Sequence, residues 1–294
     1  MTAAATLRAL LAQPDIVIAP GAYDGFTARL VERAGFPAVY MTGAGTSARY
    51  GLPDYGLLTM TEMVGNATTL ADAVSIPVIA DADTGYGTEL NVVRTVRHYE
   101  RSGAAAIHIE DQVAPKRCGH LEGKEIVSRE EFVAKIRAAV FARRDPDFLI
   151  IARTDSRAVR DLDEAIARAN LALEAGADMA FVEAVQSLDE LAAVPQRVHG
   201  PCLLNVVRGG KTPNIDLRTA NELGYRLAIL PSLLIGEIAD ACMRALGQLK
   251  ATGQPPALAD GPTLQERFRQ LGASEWDDMR TRFRSATLQT AGSE

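Results

Sequence analysis

The chain has 294 residues, of which 47% are hydrophobic and 23% are charged, and its formal net charge is -6. This composition predicts a soluble globular protein, because no apolar run approaches the ~20 residues of a membrane span, and the acidic balance disfavours a general nucleic-acid binder. The chain has three cysteines and an N-terminus without a basic segment followed by an apolar core, so we expect a cytoplasmic protein without a disulfide framework.

Short apolar runs recur along the chain, with longer amphipathic stretches between them. Taken in order, strands are predicted at residues 16–19, 38–41, 78–80, 105–109, 148–152, 179–182, 202–206 and 227–230. Helices are predicted between or after them, for example at residues 89–102, 128–142, 163–175 and 235–249.

Runs this short and this apolar are typical of parallel strands that are covered on both faces. About eight strand-helix units therefore predict an α/β protein with a closed (β/α)8 TIM-type barrel. A doubly wound open sheet is the alternative, but no Gly-x-Gly-x-x-Gly turn follows the first strand. We expect the barrel at residues 1–250 and a C-terminal helical extension at residues 251–294.

Polar residues follow most of the predicted strands, and the carboxyl ends of barrel strands open onto one face. Asp81 and Asp83 are two apart on an extended segment, and Glu110 ends the next strand. Three carboxylates without a convincing cluster of His or Cys suit a hard cation such as Mg2+ or Mn2+, held partly through water. The alternative is that the Asp81 to Gly85 segment is a turn or a helix cap.

Two further strand ends predict an anion site. Arg153 follows a strongly apolar run and is suited to clamp a carboxylate or a phosphate, although an internal salt bridge to Glu183 or Asp155 is a comparable alternative. The segment Thr42-Gly43-Ala44-Gly45 offers backbone N–H groups to an anion, but glycine-rich turns more often serve only as turns.

The segment Lys116-Arg117-Cys118-Gly119-His120 places one cysteine among three potential cations. Neighbouring cations lower the pKa of a thiol, so we expect Cys118 to exchange a proton near neutral pH and to act as a general acid. His120 is expected to orient this loop by donating a hydrogen bond, and His108 is expected to be a hydrogen-bonded core residue. A lone cysteine is usually a small buried hydrophobe, which suits Cys202 and Cys242 better than Cys118.

Four motifs occur in order: Asp81-Ala-Asp-Thr-Gly-Tyr-Gly87, His108-Ile-Glu-Asp-Gln112, Lys116-Arg-Cys-Gly-His120 and Ala152-Arg-Thr-Asp155. Together they resemble the isocitrate lyase/phosphoenolpyruvate mutase superfamily, and within it the short 2-methylisocitrate lyase-like branch, over residues 19–249. The resemblance implies an α/β barrel, Mg2+ dependence, a mobile loop that carries the cysteine, and tetramers in which a C-terminal helix packs on a neighbouring subunit. That helix would be residues 275–285, where Trp276, Met279 and Phe283 have helical spacing.

The resemblance also implies roles for the matching residues. Asp83 would bind the metal, with Asp81 and Glu110 acting largely through water. The carboxylate end of a 2-hydroxy or 2-oxo acid would be held by Tyr40, Thr42, Gly43, Ala44 and Arg153, and Glu183 and Asn205 would line the pocket. Cys118 would be the proton donor and acceptor, supported by Lys116 and His120. The implied reaction is a retro-Claisen-type cleavage between C2 and C3 of a 2-hydroxy acid, which gives a 2-oxo acid and a carbanion that Cys118 protonates.

Two segments depart from the pattern of methylisocitrate lyases. The chain reads Asn205-Val-Val-Arg-Gly-Gly-Lys-Thr-Pro213 where they read Asn-Ile or Asn-Met followed by Thr-Glu-Phe-Gly, and Pro231-Ser-Leu-Leu-Ile-Gly236 lacks their arginine. A tricarboxylate would lose a cationic partner there, so a smaller and more apolar dicarboxylate fits better. The Gly-Gly-Lys-Thr-Pro segment is similar to the branch of 2,3-dimethylmalate lyase, the plant petal death protein, oxaloacetate hydrolases and carboxyphosphonoenolpyruvate mutase-like proteins.

The sequence leaves three functions open. The first is a Mg2+-dependent lyase of a substituted malate or of methylisocitrate. The second uses the same site for decarboxylation or hydrolysis of oxaloacetate, or for mutase chemistry at a P–C bond. The third is a barrel without catalysis that serves as a binding protein, which the intact Cys118 loop and the three acids disfavour. The assembly is expected to be a homotetramer with a swapped helix, and the sequence leaves a dimer open.

Overall fold

A computed structural model of the protein describes residues 1–257 and 261–289. Its centre is a closed barrel of parallel strands that follow one another in chain order, with β1 also paired to β8. The strands are β1 (Val17–Ala22), β2 (Val39–Met41), β3 (Val78–Asp81), β4 (Ala106–Glu110), β5 (Leu149–Thr154), β6 (Met179–Val182), β7 (Cys202–Asn205) and β8 (Leu227–Leu230). The predicted (β/α)8 barrel is confirmed, and the open-sheet alternative is wrong because the first and last strands pair.

Helices alternate with the strands along the chain. They are α1 (Ala3–Leu11), α2 (Gly25–Arg33), α3 (Gly43–Arg49), α4 (Met60–Ala73), α5 (Glu89–Arg101), α6 (Arg129–Ala142), α7 (Ser156–Val159), α8 (Leu162–Glu174), α9 (Leu188–Arg197), α10 (Leu217–Glu222), α11 (Leu233–Thr252), α12 (Leu264–Gln270) and α13 (Ala273–Gln289). Side-chain caps fix where many of them begin. Ser128, for example, accepts a hydrogen bond from the Glu131 amide at 3.1 Å and starts α6 at the predicted position.

Side chains alternate along each strand, so that in β4 the apolar residues lie on one side and the polar residues lie on the other. In β4, Ile107 and Ile109 belong to the main hydrophobic core, while His108 and Glu110 share the opposite side of the strand. All four side chains are fully buried. Complete burial of an isoleucine side chain contributes about 1.5–3 kcal/mol, so the apolar side of the strand supports the buried polar groups on the other.

The register of neighbouring strands brings their polar ends together. Glu110 of β4 is paired with Arg153 of β5, and Asp81 of β3 is paired with His108 of β4. A parallel barrel has all its carboxyl ends on one face, so residues far apart in sequence meet there.

Contacts divide the chain into one compact unit at Met1–Ala239 and a second at residues 240–294. The first unit holds the whole barrel. The second includes α12 and α13, and Trp276 and Phe283 on α13 are each 68% exposed. The boundary expected after residue 250 stays a prediction, and it falls inside α11. Among the described residues, no helix combines the length and the apolarity that crossing a membrane requires.

Candidate active site

A cavity of about 180 Å³ lies at the carboxyl ends of the strands, where the sequence predicted a site. Many of the predicted site residues line it: Tyr40, Thr42, Ala44, Asp81, Cys118, His120, Arg153, Glu183 and Asn205. Four predicted residues lie around it without lining it. Gly43 packs against the Asp81 carboxylate, and Glu110 is buried beside Arg153. Asp83 and Lys116 line an adjacent, larger cavity of about 610 Å³.

The glycine-rich segment after β2 is the first turn of α3 and not a free turn. Thr42 caps this helix, because its Oγ1 accepts a hydrogen bond from the Gly45 amide at 3.3 Å. Gly43 must be a glycine because a side chain there would collide with Asp81. The close packing therefore brings the start of α3 against the end of β3.

The three carboxylates predicted from the sequence form one buried group. Asp81 Oδ1 accepts a hydrogen bond from the Asp83 amide at 2.9 Å, and Asp83 has a φ of 46°, in the left-handed region. Aspartate tolerates this conformation better than most residues do. Tyr40 donates to His108 or accepts from it at 2.7 Å, and its hydroxyl lies 3.5 Å from Asp81 Oδ2. His108 is the hydrogen-bonded core residue that the sequence predicted.

Burial sets the ionisation of this group. Burial alone opposes the ionisation of Asp81, but His108, Lys116 and Arg153 together outweigh it and hold the pKa of Asp81 below its usual value. Burial raises the pKa of Asp83 to about 6 against the opposing effect of Lys116. Burial likewise raises the pKa of Glu110 well above its usual value, in spite of Arg153. The site thus holds carboxylates that need a nearby cation to ionise fully.

Lys116 lies between two acids, one of which the sequence did not identify. Its Nζ is 2.5 Å from Asp54 Oδ1 and 2.9 Å from Asp83 Oδ1. Burial lowers the pKa of this ammonium, but the two carboxylates raise it well above its usual value. Asp54 sits in a Pro-Asp-Tyr-Gly segment, whose composition predicts only a turn. Its contact with Lys116 depends on tertiary structure alone.

Within the described ranges 1–257 and 261–289, no set of three or more His, Cys, Asp or Glu side chains closes around a single point as a metal cage would. The acids are nevertheless poorly satisfied. In this described part of the chain, Glu110 Oε1 is buried without a hydrogen bond. Glu110 Oε2 and Asp83 Oδ1 are also buried, and they meet Arg153 and Lys116 as ion pairs at 3.1 and 2.9 Å without hydrogen-bond geometry.

Arg153 both lines the cavity and forms internal ion pairs, so the two alternatives for it are compatible. Its Nε lies 2.9 Å from Asp155 Oδ2 and 3.1 Å from Glu110 Oε2, and its Nη2 lies 3.3 Å from Glu183 Oε2. Burial opposes the charge, but the surrounding carboxylates raise the pKa of Arg153 well above its usual value. The guanidinium also lies 5.1 Å from the ring centroid of Phe181. A permanent cation is thereby fixed at the cavity wall.

The cysteine loop lies over the cavity, but its electrostatics differ from the prediction. Burial raises the pKa of Cys118, so the expected lowering of the pKa by neighbouring cations is wrong. The reason is the direction of the side chains. Lys116 is held by two carboxylates, and the guanidinium of Arg117 lies 5.8 Å from the ring of Tyr55.

His120 links this loop to the segment after β7. Its Nδ1 accepts a hydrogen bond from the Lys211 amide at 3.1 Å, and its Nε2 lies 3.4 Å from Glu183 Oε1. Burial lowers the pKa of His120, which favours the neutral ring. Acceptance at Nδ1 leaves the proton of the neutral ring on Nε2, which faces Glu183, so the expected donor role of His120 stays a prediction for Nε2. Glu183 in turn accepts a hydrogen bond from Asn205 at 3.0 Å.

The cavity also has an apolar wall, formed by Val207, Pro231 and Ile235. Asp54 and Ser232 line the cavity as well. The sequence indicated this side only through the missing arginine. The cations of the neighbouring segment are engaged elsewhere, since Arg208 pairs with Glu237 at 2.7 Å and Lys211 pairs with Glu122.

Known proteins resemble this chain over nearly its whole length. The family model for phosphoenolpyruvate phosphomutase matches residues 7–250. The 2,3-dimethylmalate lyase of Eubacterium barkeri is 50% identical over 272 residues, which cover 92% of this chain and 94% of that protein. The 2-methylisocitrate lyase of Aeropyrum pernix is 50% identical over 265 residues, which cover 90% of this chain and 85% of that protein. A structure of oxaloacetate acetylhydrolase in complex with the inhibitor 3,3-difluorooxalacetate matches with a TM-score of 0.92 at 39% identity, covering 95% of this chain and 96% of that one.

Proposed function

Because the chain belongs to the phosphoenolpyruvate mutase/isocitrate lyase superfamily and is one of its lyases, we propose that it is a Mg2+-dependent carbon–carbon lyase for a methyl-branched malate such as 2,3-dimethylmalate. The products would be a 2-oxo acid, pyruvate, and a second carboxylate. One observation carries the proposal: the Cys118 loop covers a small cavity that has carboxylates and Arg153 on one side and an apolar wall on the other.

The residues present fit a divalent cation. The superfamily is divalent-metal dependent. The buried carboxylate oxygens of Asp83 and Glu110 are the hard donors that Mg2+ or Mn2+ takes, and their contacts with Lys116 and Arg153 leave Glu110 Oε1 without a partner. We propose Asp83 as the direct ligand, with Asp81 and Glu110 acting through water, which agrees with the lack of a closed cage of three side chains in the described structure. A bound cation would supply Lewis-acid stabilisation of negative charge on the substrate oxygens.

The chain's own residues account for the rest of the chemistry. Arg153 would hold a substrate carboxylate through two N–H groups, while Tyr40, Thr42, Gly43 and Ala44 would bind the same end of the molecule. Transfer of the substrate's hydroxyl proton to a general base at the site would let the C2–C3 bond break, which forms the new carbonyl and leaves the electron pair on C3. Burial keeps Cys118 as a protonated thiol, and this thiol would donate the proton that C3 takes up. Lys116 and His120 would hold the loop over the site, and Glu183 and Asn205 would line the pocket.

The apolar wall supports the choice of substrate class. Among the cavity-lining residues of the described structure, Arg153 is the one arginine or lysine, so a third carboxylate would lack a matching cation. Val207, Pro231 and Ile235 offer a methyl group an apolar contact instead. Burial of a methyl group contributes about 0.8 kcal/mol, whereas burial of an unpaired carboxylate costs several kcal/mol. A methyl-branched dicarboxylate is therefore favoured over 2-methylisocitrate.

The proposed assembly is a homotetramer in which α13 packs on a neighbouring subunit. Trp276, Met279 and Phe283 support it, because they are exposed at 68%, 39% and 68% and have helical spacing. Light scattering would measure the mass in solution, and Trp276→Glu should reduce it if this face is buried between copies. An unchanged tetramer in that variant would place the interface elsewhere.

A turnover experiment tests the reaction class. The protein would be incubated with Mg2+ and, separately, with 2,3-dimethylmalate, 2-methylisocitrate, isocitrate, oxaloacetate and phosphonopyruvate, and the products would be identified by NMR. We expect pyruvate from a substituted malate. Release of oxalate and acetate from oxaloacetate, without cleavage of any malate, would assign the same site to hydrolysis. Binding without turnover of any compound would support a barrel that has lost catalysis.

A further inference from the structure

We propose that Lys124 is a positioning residue for the loop at residues 116–120, which carries Cys118. Lys124 would fix this loop over the cavity by holding the backbone of Gly119 against the Arg153 ion pairs. The inference rests on the proposed catalytic role of Cys118. Lys124 itself does not line the cavity and is expected to touch neither the substrate nor the metal.

The ammonium of Lys124 is buried and has two partners in different parts of the chain. The side chain is 1% exposed, and its Nζ donates to Asp155 Oδ1 at 2.9 Å and to the carbonyl oxygen of Gly119. Asp155 directly follows the barrel strand β5, whereas Gly119 belongs to the loop that carries Cys118. Lys124 is thus a bridge between a fixed carboxylate and a loop carbonyl.

Asp155 is fixed independently of Lys124, which makes it a firm anchor. Its backbone N–H donates to Asp111 Oδ1 at 2.8 Å, and its carboxylate accepts from Arg153 Nε at 2.9 Å. Oδ1 of Asp155 also takes Arg153 Nη2 at 3.3 Å, so the same oxygen serves the substrate arginine and Lys124. Through this shared oxygen, Lys124 fixes the position of Gly119 relative to the position of Arg153.

The fit at Gly119 shows why the position must be exact to a fraction of an ångström. A Cβ added to Gly119 would lie 2.5 Å from Arg153 Nη2 and 2.6 Å from Glu183 Cγ. The Gly119 backbone therefore packs directly on the two charged residues of the cavity wall, with Cys118 one residue before it. This packing buries the carbonyl oxygen of Gly119, which therefore needs a hydrogen-bond donor. The Lys124 ammonium is that donor.

Other contacts hold different parts of the loop. Gln112 exchanges two hydrogen bonds with the backbone of Arg117, at 2.8 and 3.0 Å, and His120 accepts from the Lys211 amide. These contacts fix the residues before Cys118 and after Gly119. Loss of Lys124 should therefore release Gly119 without unfolding the loop.

The experiment compares Lys124→Met with Lys135→Met. Lys135 is the matched control, because it is also a buried lysine in an ion pair, with Glu131 at 3.6 Å, but it lies on α6 away from the loop. The first readout is the rate at which iodoacetamide alkylates Cys118 in the ligand-free protein, followed by peptide mass spectrometry. Cys242 serves as an internal reference in the same samples, because it is exposed and not buried as the sequence predicted. The second readout is kcat beside the Kd of oxalate with Mg2+.

We expect Lys124→Met to raise the alkylation rate of Cys118 roughly tenfold or more, the scale of a lost hydrogen bond to a charged group, while Cys242 is unchanged. The value of kcat should fall by at least the same factor, and the Kd of oxalate should stay within about threefold because Arg153 keeps its remaining ion pairs. Lys135→Met should change neither readout by more than about twofold. Lys124→Gln, whose amide can donate hydrogen bonds but is neutral and one bond shorter than the lysine side chain, should lie between the parent and Lys124→Met.

An alkylation rate within twofold of the parent in folded Lys124→Met would overturn the inference, as would a raised alkylation rate with an unchanged kcat. If Lys124→Met does not fold, Lys124→Gln decides on the same criteria. A parent enzyme that cleaves no candidate substrate would count against the proposed function alone, since the alkylation rates still report whether Lys124 holds the loop.

Discussion

The variant Gly119→Ala, which adds one methyl group, tests whether catalysis requires the observed position of the Cys118 loop over the cavity. The new Cβ would lie 2.5 Å from Arg153 Nη2 and 2.6 Å from Glu183 Cγ, about 1 Å closer than ordinary van der Waals contact. Neither neighbour can move freely, because Arg153 is tied to Asp155 and Glu110 and Glu183 is tied to Asn205. The loop must therefore retreat from the cavity.

The size of the effect follows from that distance. Overpacking of a tight site costs typically 1–3 kcal/mol, and a displacement of about 1 Å at a reacting group can cost ~100-fold in rate. We expect kcat of Gly119→Ala to fall about 100-fold, equivalent to about 2.7 kcal/mol of activation free energy. The melting temperature should hardly change, because the loop can stay open without disturbing the barrel.

The assay is steady-state kcat with the best substrate, together with thermal unfolding of both proteins. Gly65→Ala is the matched control: a Cβ at Gly65, on α4, would meet no atom within 4 Å, so activity should be retained. A folded Gly119→Ala protein with kcat within about threefold of the parent would refute the reasoning, because catalysis would then not require the loop position seen here.

Further predictions concern the acid, the metal and a buried histidine. Cys118→Ser should lower kcat ~100-fold to ~10,000-fold while the Kd of oxalate is preserved; kcat within a few-fold of the parent would assign the proton to another donor. Chelation should abolish turnover and Mg2+ should restore it, and Asp83→Ala should bind Mn2+ far more weakly by electron paramagnetic resonance; full activity after exhaustive chelation would remove the metal from the mechanism. Burial lowers the pKa of His108 to about 4, so its contribution to stability is complete above about pH 6.5 and is lost as the pH falls towards 4. In urea unfolding of the metal-free protein, the stability difference between the parent and His108→Gln should therefore shift by about 3 kcal/mol over that interval. A difference independent of pH would contradict this, because it would show that His108 has the same pKa in the folded and the unfolded protein.

The barrel and the convergence of its strand ends could be predicted because both depend on local pattern. Apolar runs locate the strands, and parallel topology then requires Asp81, Arg153 and Asn205 to meet on one face. The capping residue Ser128 likewise fixed the start of α6 from sequence alone.

The electrostatics of the loop could not be predicted in the same way. Side chains that are neighbours in sequence point in different directions, and Lys116 forms its ion pairs with Asp54 and Asp83. Burial therefore dominates at Cys118 and raises the pKa of its thiol. Asp54 lies far from Lys116 in sequence, and Asp155 from Lys124, and no local pattern connects either pair. Such contacts follow from tertiary structure, which brings distant segments to the same barrel mouth.

We propose that this site cleaves a methyl-branched dicarboxylate between C2 and C3. The most direct test is kcat/KM for 2,3-dimethylmalate and for 2-methylisocitrate, measured with Mg2+ by the release of pyruvate. We predict a clear preference for 2,3-dimethylmalate, because Val207, Pro231 and Ile235 line the cavity where a third carboxylate would need a cation. A preference for 2-methylisocitrate, or no carbon–carbon cleavage of either compound, would contradict the account.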